Sequence, residues 1–329
     1  MRIKKRKYRH GESDRRDSQK EKSYTKEEKS VEFSIIIPTH NAGRSIENLL
    51  SNLITYSKKY NIEIILIDSE STDQTIPIIN SFQLKFSRIT LVKIRKKDFN
   101  HGLTRNDGVR LAKGKYIIFM SQDVSLVNDS FFKFFRNDLK SDSKTVAVFG
   151  KHIPYPKTPI IQKIEQQCRF EELDYYANSE PLFQDIINPF TPLSEDSKIL
   201  WYSLFNTFSC YKSEYLKKNP FSKTNYGEDI LMGKNIIDKG LTKVYDPRCI
   251  ILHSHSLNLF QYLSVQIRDH SFRSKRLNLK AKSKLFLKAK KIIELKENVF
   301  KKNFMLIQLG FYYILKMFLY PLYLFRVFD

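Results

Sequence analysis

Between residues 31 and 123, short apolar runs alternate with segments whose apolar residues return every three or four positions. Phe33-Ser-Ile-Ile-Ile37 is closed by Pro38 and reads as a buried strand. Asn41-Ala-Gly43 is turn-like, and Ile46, Leu49, Leu50, Leu53 and Ile54 then recur at helical spacing. Ile62 to Ile67 predicts a second strand, ending in the polar loop Asp68-Ser-Glu-Ser-Thr-Asp73. Residues 74–86 follow as helix, Ile89 to Ile94 as strand and Gly102 to Lys113 as helix. Lys115-Tyr-Ile-Ile-Phe-Met120 is a further strand, running into Ser121-Gln122-Asp123. Such alternation predicts an α/β fold, a Rossmann-like, mostly parallel sheet with helices on both faces. Ligands of such sheets bind beyond the C-terminal strand ends, so Pro38, Asp68 and Asp123 should gather along one rim.

Six prolines between 154 and 192 weaken the pattern, leaving one expected helix near 160–178. Leu204 to Tyr211 reads as a strand, and Asp229 to Lys239 as a helix closed by Gly240. Lys243-Val-Tyr245 and Ile250 to His253 read as two short strands, and 257–302 as helical. From Phe304 to Phe328 the only charged residues are Lys316 and Arg326, amid dense Phe, Tyr, Leu and Ile. A spanning helix needs roughly 20 apolar residues. The run is long enough, but Lys316 near its middle and Pro321 favour a segment lying in the interface, or a buried core or oligomer helix, over a single span. The chain thus divides into a basic disordered tail (1–30), an α/β domain (31–256), a basic helical segment (257–302) and an apolar aromatic, membrane-associating segment (303–329).

The charge distribution sharpens this division. The 329 residues carry a net charge of +22, and 41% are hydrophobic, ample for a core. Residues 1–30 hold 12 Lys/Arg against 6 Asp/Glu, and residues 273–302 hold 12 against 2. The stretch 31–272 is nearly balanced, 31 against 26. A nucleic-acid binder would carry its charge on the folded body, so no nucleic-acid partner is expected. Basic flanks suit an anionic membrane surface, which places the chain at the cytoplasmic face of the cell membrane. Cys168, Cys210 and Cys249 are odd in number and far apart, supporting neither a disulfide framework nor a cysteine zinc site. Residues 1–30 contain no apolar run of the secretory-signal kind.

Candidate chemistry sits at the strand ends. Asp68 could accept hydrogen bonds from a nucleobase or ribose, and Asp73 could do so or cap the next helix. Asp123 closes an apolar strand, where a carboxylate is exposed, paired or coordinated. Asn100-His-Gly-Leu-Thr-Arg-Asn106 sets Arg105 and Asn106 near a helix start, an arrangement suited to an anion or to an ordinary turn and cap. Glu228-Asp229 opens a helix, where acids serve catalysis or simply the dipole. His253 and His255, two apart at a strand end, could share a face as metal ligands or be structural.

The order of these segments resembles the family 2 inverting glycosyltransferases of GT-A fold, over roughly residues 32–255. Ile36-Ile-Pro-Thr-His-Asn41, Asp68 to Thr75, Ser121-Gln-Asp123 and Gly227-Glu-Asp229 carry the resemblance, and Phe99 to Gly108 with the Ser-Gln-Asp triplet is similar to the rhamnosyltransferase-like branch. The resemblance implies a nucleotide-sugar donor, possibly L-rhamnose on dTDP, and a glycan or lipid-linked acceptor in surface polysaccharide synthesis. Pro38, Thr39, Asn41, Asp68, Asp73, Arg105, Asn106 and Gln122 would bind the donor. Asp123 with His253 and His255 would hold Mg²⁺ or Mn²⁺. Asp229, with Glu228, would serve as general base. Ser121 stands where the family has a first acid, which also allows an inactive, membrane-recruited nucleotide-sugar binder.

Overall fold

The computed structural model describes residues 30–186, 195–278, 285–295 and 297–324. Most of the expected basic tail, residues 279–284 of the basic segment and 325–329 of the apolar one lie outside these. The first half follows the periodicity: β1 (Phe33–Thr39), α1 (Gly43–Ser57), β2 (Ile62–Ser69), α2 (Thr75–Gln83), β3 (Ile89–Ile94), α3 (His101–Leu111) and β4 (Tyr116–Met120). There follow β5 (Ser125–Leu126), α4 (Ser130–Ser141), β6 (Thr145–Ile153), α5 (Ile160–Ala177), β7 (Leu182–Gln184), α6 (Glu195–Tyr202), β8 (Phe208–Lys212), α7 (Ser213–Lys218), α8 (Glu228–Asp238) and β9 (Thr242–Leu252). The C-terminal helices are α9 (Leu259–Leu277), α10 (Leu285–Glu294) and α11 (Val299–Leu324).

The strands form one sheet in the order β3-β2-β1-β4-β8-β6-β9-β5, with β7 also on β9. β1 to β4 are mutually parallel, as are β6 and β9, while β8, β5 and β7 run against their neighbours. The sheet is therefore mostly parallel, as expected. Alternation along β1 divides the core into two layers. Ile35 and Ile37 face Leu49, Leu50, Leu53 and the Phe131, Phe132 and Phe135 stripe of α4. Ile36 faces Val109, Leu216 and Ile236, from α3, α7 and α8. Gly108 lets α3 lie this close, because a Cβ there would come 2.6 Å from Ile36.

Two expectations change. Lys243 to Tyr245 and Ile250 to Leu252 belong to one strand, β9, because β6 runs beside both, and His253 lies just beyond its end. The extra residues 247–249 are absorbed where the register slips between Gly150 and Lys151. The strand expected from Leu204 begins only at Phe208, since Phe205 takes a left-handed turn (φ +36°) that no strand accommodates. Strand β6 and helix α4 had no counterpart in the sequence reading. Among the described residues, no helix is long and apolar enough to cross a membrane.

Candidate active site

The rim beyond β1 and β2 is built from hydrogen bonds between the two strand ends. Register pairs Thr39 with Asp68, and the Thr39 hydroxyl donates to the Asp68 carboxylate at 3.0 Å. The Ser71 amide and hydroxyl donate to the same carboxylate at 2.9 and 2.5 Å. Asp68 is thus buried and holds the loop in shape. Gln122 pins β4 to β1, accepting from the His40 amide at 2.7 Å and donating to the His40 carbonyl at 3.0 Å. Asn41, left-handed at φ +48°, accepts from the Thr72 amide at 2.8 Å. These contacts frame a cleft of about 540 Å³ lined by His40, Asn41, Glu70, Ser71, Thr72 and Lys96. Pro38, the penultimate residue of β1, is half-buried and does not line this cleft. Asp73 stands exposed and accepts from the Thr75 hydroxyl and amide at the start of α2, which holds its carboxyl below the ordinary pKa. That is the capping geometry weighed above.

Sheet pairing explains the next cluster. β5 pairs with the end of β9, Ser125 opposite Leu252. Asp123, just before β5, therefore meets His253 and His255, just after β9. His253 Nε2 lies 3.4 Å and His255 Nδ1 3.5 Å from the Asp123 oxygens. The three potential ligand atoms fall within 4.8 Å of one another. Tyr155 donates to the Asp123 carbonyl at 2.8 Å, and Gln166 donates to the His253 carbonyl at 2.7 Å, so both backbones are held. Burial opposes ionisation of Asp123, but the approach of His253 and the charge of both imidazoles hold its carboxyl below the ordinary value. The buried His253 Nε2 has no hydrogen-bond partner. In the neutral imidazole that atom offers a lone pair, which beside a carboxylate and a second imidazole suits a divalent cation. Of the Ser121-Gln122-Asp123 triplet only Asp123 joins this cluster; Ser121 donates its amide to the Thr207 carbonyl at 3.2 Å.

A third cluster opens α8. Gly227, at φ +73°, turns the chain so that Glu228 and Asp229 are the first helical residues. Arg105 reaches Glu228 at 3.1 Å and donates to the His101 carbonyl at 2.9 Å; its buried Nε is unpartnered. The anion beside Arg105 is therefore Glu228. Asn106 spends its amide on Phe221, donating to the carbonyl and accepting from the N–H, both at 2.9 Å, so it anchors α3. Asp229 accepts from the Ile230 amide at 2.8 Å and the Asn206 amide at 3.4 Å. Burial, then the neighbouring Glu228 charge, push its carboxyl up to about 6 against the pull of Arg105.

Asn206 was not anticipated. It is buried, its Nδ2 donates to Glu228 at 3.4 Å, and its Oδ1 accepts from Ser209 at 3.0 Å and Tyr211 at 2.7 Å. Its acidic partners, Glu228 and Asp229, lie 22 and 23 residues further along the chain, so no local spacing ties it to them. Nor was His152, whose ring packs 5.7 Å from that of His253 and is kept neutral by burial.

This architecture recurs in solved glycosyltransferases of the GT-A fold. TarS of S. aureus, in complex with UDP, matches with a TM-score of 0.51 at 16% identity, over 85% of this chain and 70% of that one. The mannosyltransferase PcManGT of Pyrobaculum calidifontis, with GDP-Man and Mn²⁺, also matches at 0.51 and 16%, over 88% and 72%. At such identities the likeness speaks for the fold, a GT-A glycosyltransferase fold. The model of glycosyl transferase family 2 matches residues 34–192, just under half of the chain. It is 27% identical to the O-antigen chain rhamnosyltransferase RfbN of Salmonella typhimurium over 69% of its own length and 67% of that protein's. The sequence resemblance to the rhamnosyltransferase-like branch therefore holds, and the chain is a glycosyltransferase.

Proposed function

We propose that the chain transfers a sugar, with inversion, from a nucleoside-diphosphate donor to a hydroxyl of a glycan or lipid-linked acceptor in polysaccharide synthesis. L-Rhamnose on dTDP is the donor that the likeness to RfbN favours. One observation carries the reading: the short loop 205–207 joins two kinds of chemistry. Thr207 binds Ser121, two residues before Asp123, and Asn206 binds both Glu228 and Asp229. A cation-type cluster and a raised carboxylate are thereby held by one turn of chain.

In this reading the cleft at His40, Asn41 and Glu70 to Thr72 receives the nucleoside, with its hydrogen-bonded loops formed in advance. Asp229 accepts the acceptor proton as that oxygen bonds to the anomeric carbon and the bond to the diphosphate breaks. A carboxyl near 6 is mostly ionised at neutral pH, yet more basic than an ordinary carboxylate and so better able to take a proton. Asp123, His253 and His255 would hold a divalent cation, which when bound offsets the charge of the departing diphosphate. Two imidazoles with one carboxylate favour Mn²⁺ over Mg²⁺, which prefers oxygen ligands and water.

The test is a panel of dTDP-, UDP- and GDP-sugars, read by protection against thermal unfolding and by donor turnover, with and without Mn²⁺. A Mn²⁺-dependent stabilisation by dTDP-rhamnose above the other donors is expected. Equal indifference to every nucleotide-sugar would end the reading.

A further inference from the structure

Helix α11 has apolar residues on two faces. Met305 and Leu309 are buried against Ile161, Ile164 and Tyr262 of α5 and α9. On the other side Phe300, Phe304, Ile307, Phe311 and Ile314 recur at steps of four, three, four and three, and are 50–83% exposed. That spacing makes one continuous stripe. Single exposed apolar residues are ordinary on a protein surface, but a contiguous stripe of large ones is not.

Its surroundings are basic. The chain leading into the stripe, residues 273–302, has the 12 to 2 excess of Lys/Arg already noted. Lys290 on α10 and Lys301 on α11 are exposed, each in a surface ion pair, with Glu294 and Glu297, and surface pairs of this kind are weak. We propose that the α11 stripe and these flanking lysines form a docking surface for an anionic lipid bilayer, with the helix lying in the plane of the interface. Aromatic and branched apolar side chains enter the headgroup–acyl boundary, and the lysines meet anionic headgroups. Lying rather than spanning agrees with the absence of any crossing-length apolar helix among the described residues.

Charge selects lipid over the obvious alternative, a second copy of this chain. The stripe's spacing would serve a helix–helix seam. A twofold contact through it would set one basic block against another, however, whereas an anionic surface neutralises both. The docked helix also touches the chemistry at one remove. α11 packs on α5, and α5 holds the His253 carbonyl through Gln166 and the Leu257 carbonyl through Gln162.

The test uses the full chain and vesicle flotation. Wild type should float with phosphatidylglycerol–phosphatidylcholine vesicles, and much less with phosphatidylcholine alone or in high salt. The triple variant Phe304→Ser, Ile307→Ser, Phe311→Ser should lose at least about tenfold in vesicle affinity while keeping its melting temperature, since the three side chains are exposed. Lys290→Gln with Lys301→Gln gives a second arm that leaves the stripe intact and should weaken only the anionic-lipid component. Wild type that ignores anionic vesicles overturns the proposal, as does a triple variant that floats unchanged. So does a concentration-dependent dimer that the triple variant abolishes in the absence of lipid binding. None of these outcomes depends on which donor the enzyme uses.

Discussion

Two carboxylates in this molecule sit largely out of water and are driven in opposite directions. Glu165, on α5 between the C-terminal helices, is pulled down to about 2. Asp229, at the start of α8, is pushed up to about 6. Burial alone raises both, so the difference lies in their partners. Around Glu165 stand the Lys288 ammonium at 3.3 Å, the Tyr262 hydroxyl at 2.5 Å and the Gln266 amide at 3.0 Å. Asp229 instead has a second carboxylate beside it, and the nearby cation, Arg105, lies on that neighbour. The first arrangement fixes an anion and clamps helices together. The second leaves a carboxylate able to exchange a proton near neutral pH, which is what a general base requires.

The largest effect expected from this contrast is on turnover. Asp229→Asn should lower sugar transfer roughly 10²- to 10⁴-fold. Glu165→Gln should leave transfer per folded molecule close to wild type. The Asn variant should melt no lower at pH 7 than wild type, because a net cost of burying charge is removed. Steady-state rates and melting curves of both variants decide it. An Asp229→Asn enzyme within tenfold of wild type would remove Asp229 from the chemistry.

Next in size is the clamp. Lys288→Met strands the Glu165 carboxylate and should destabilise the protein by roughly 3 kcal/mol, less than a fully buried pair because Glu165 keeps some contact with solvent. Combining it with Glu165→Gln should restore much of the loss, since no unpaired charge then remains. Denaturant titration of both single variants and the double would show the coupling; strict additivity would mean that the two side chains act independently.

The two regions also differ in how far the sequence disclosed them. The rim around β1, β2 and β4 was legible because Phe33 to Ile37, Ile62 to Ile67 and Lys115 to Met120 are apolar runs with polar ends, and their parallel pairing follows from the helices between them. Asp123, His253 and His255 could be proposed as one group only through the family resemblance. Their meeting depends on the two-residue strand β5, too short to leave a pattern. Arg105 and Asn106 were expected at the donor. Their partners, Glu228 and the Phe221 backbone, are more than a hundred residues away, and local spacing carries no information about them. Asn206 was hidden within an apolar segment read as a continuous strand, its acidic partners 22 and 23 residues further on. Helix α4 shows a different limit: its Phe131, Phe132, Phe135 and Leu139 stripe is regular, yet it lies in a stretch from which no element was drawn.

The pH dependence separates the two carboxylates in a single preparation. kcat/KM should rise through an acid limb near pH 6, as Asp229 gives up its proton. Stability should respond in the opposite sense at the two sites. Glu165 has a folded value below its ordinary 4.5, so its contribution is present above pH 4.5 and is lost as pH falls toward about 2. Asp229 has a folded value above its ordinary 3.8, so its cost is absent below pH 3.8 and complete above about 6. Asp229→Asn should therefore raise the melting temperature at pH 7 and not at pH 3.5. Equal changes at both pH values would mean that the residue acts through packing alone.

The smallest effect, and the one that probes how Asp229 is tuned, concerns Asn206. Its side-chain amide reaches Glu228 at 3.4 Å, a long hydrogen bond, so its removal should cost only about 1 kcal/mol of transition-state stabilisation, about fivefold in kcat/KM. Asn206→Ala also leaves the Ser209 and Tyr211 hydroxyls without their acceptor, so lost activity could reflect a loosened turn as well as lost tuning. Asn206→Asp separates the two. It keeps the acceptor for both hydroxyls and adds a third carboxylate beside Glu228 and Asp229. Like charges raise one another's proton affinity, so the acid limb of kcat/KM should move to higher pH in the Asp variant and not in the Ala variant. A limb that stays in place in both would make Asn206 a support for the turn that Phe205 begins. The high value of Asp229 would then rest on burial and Glu228 alone.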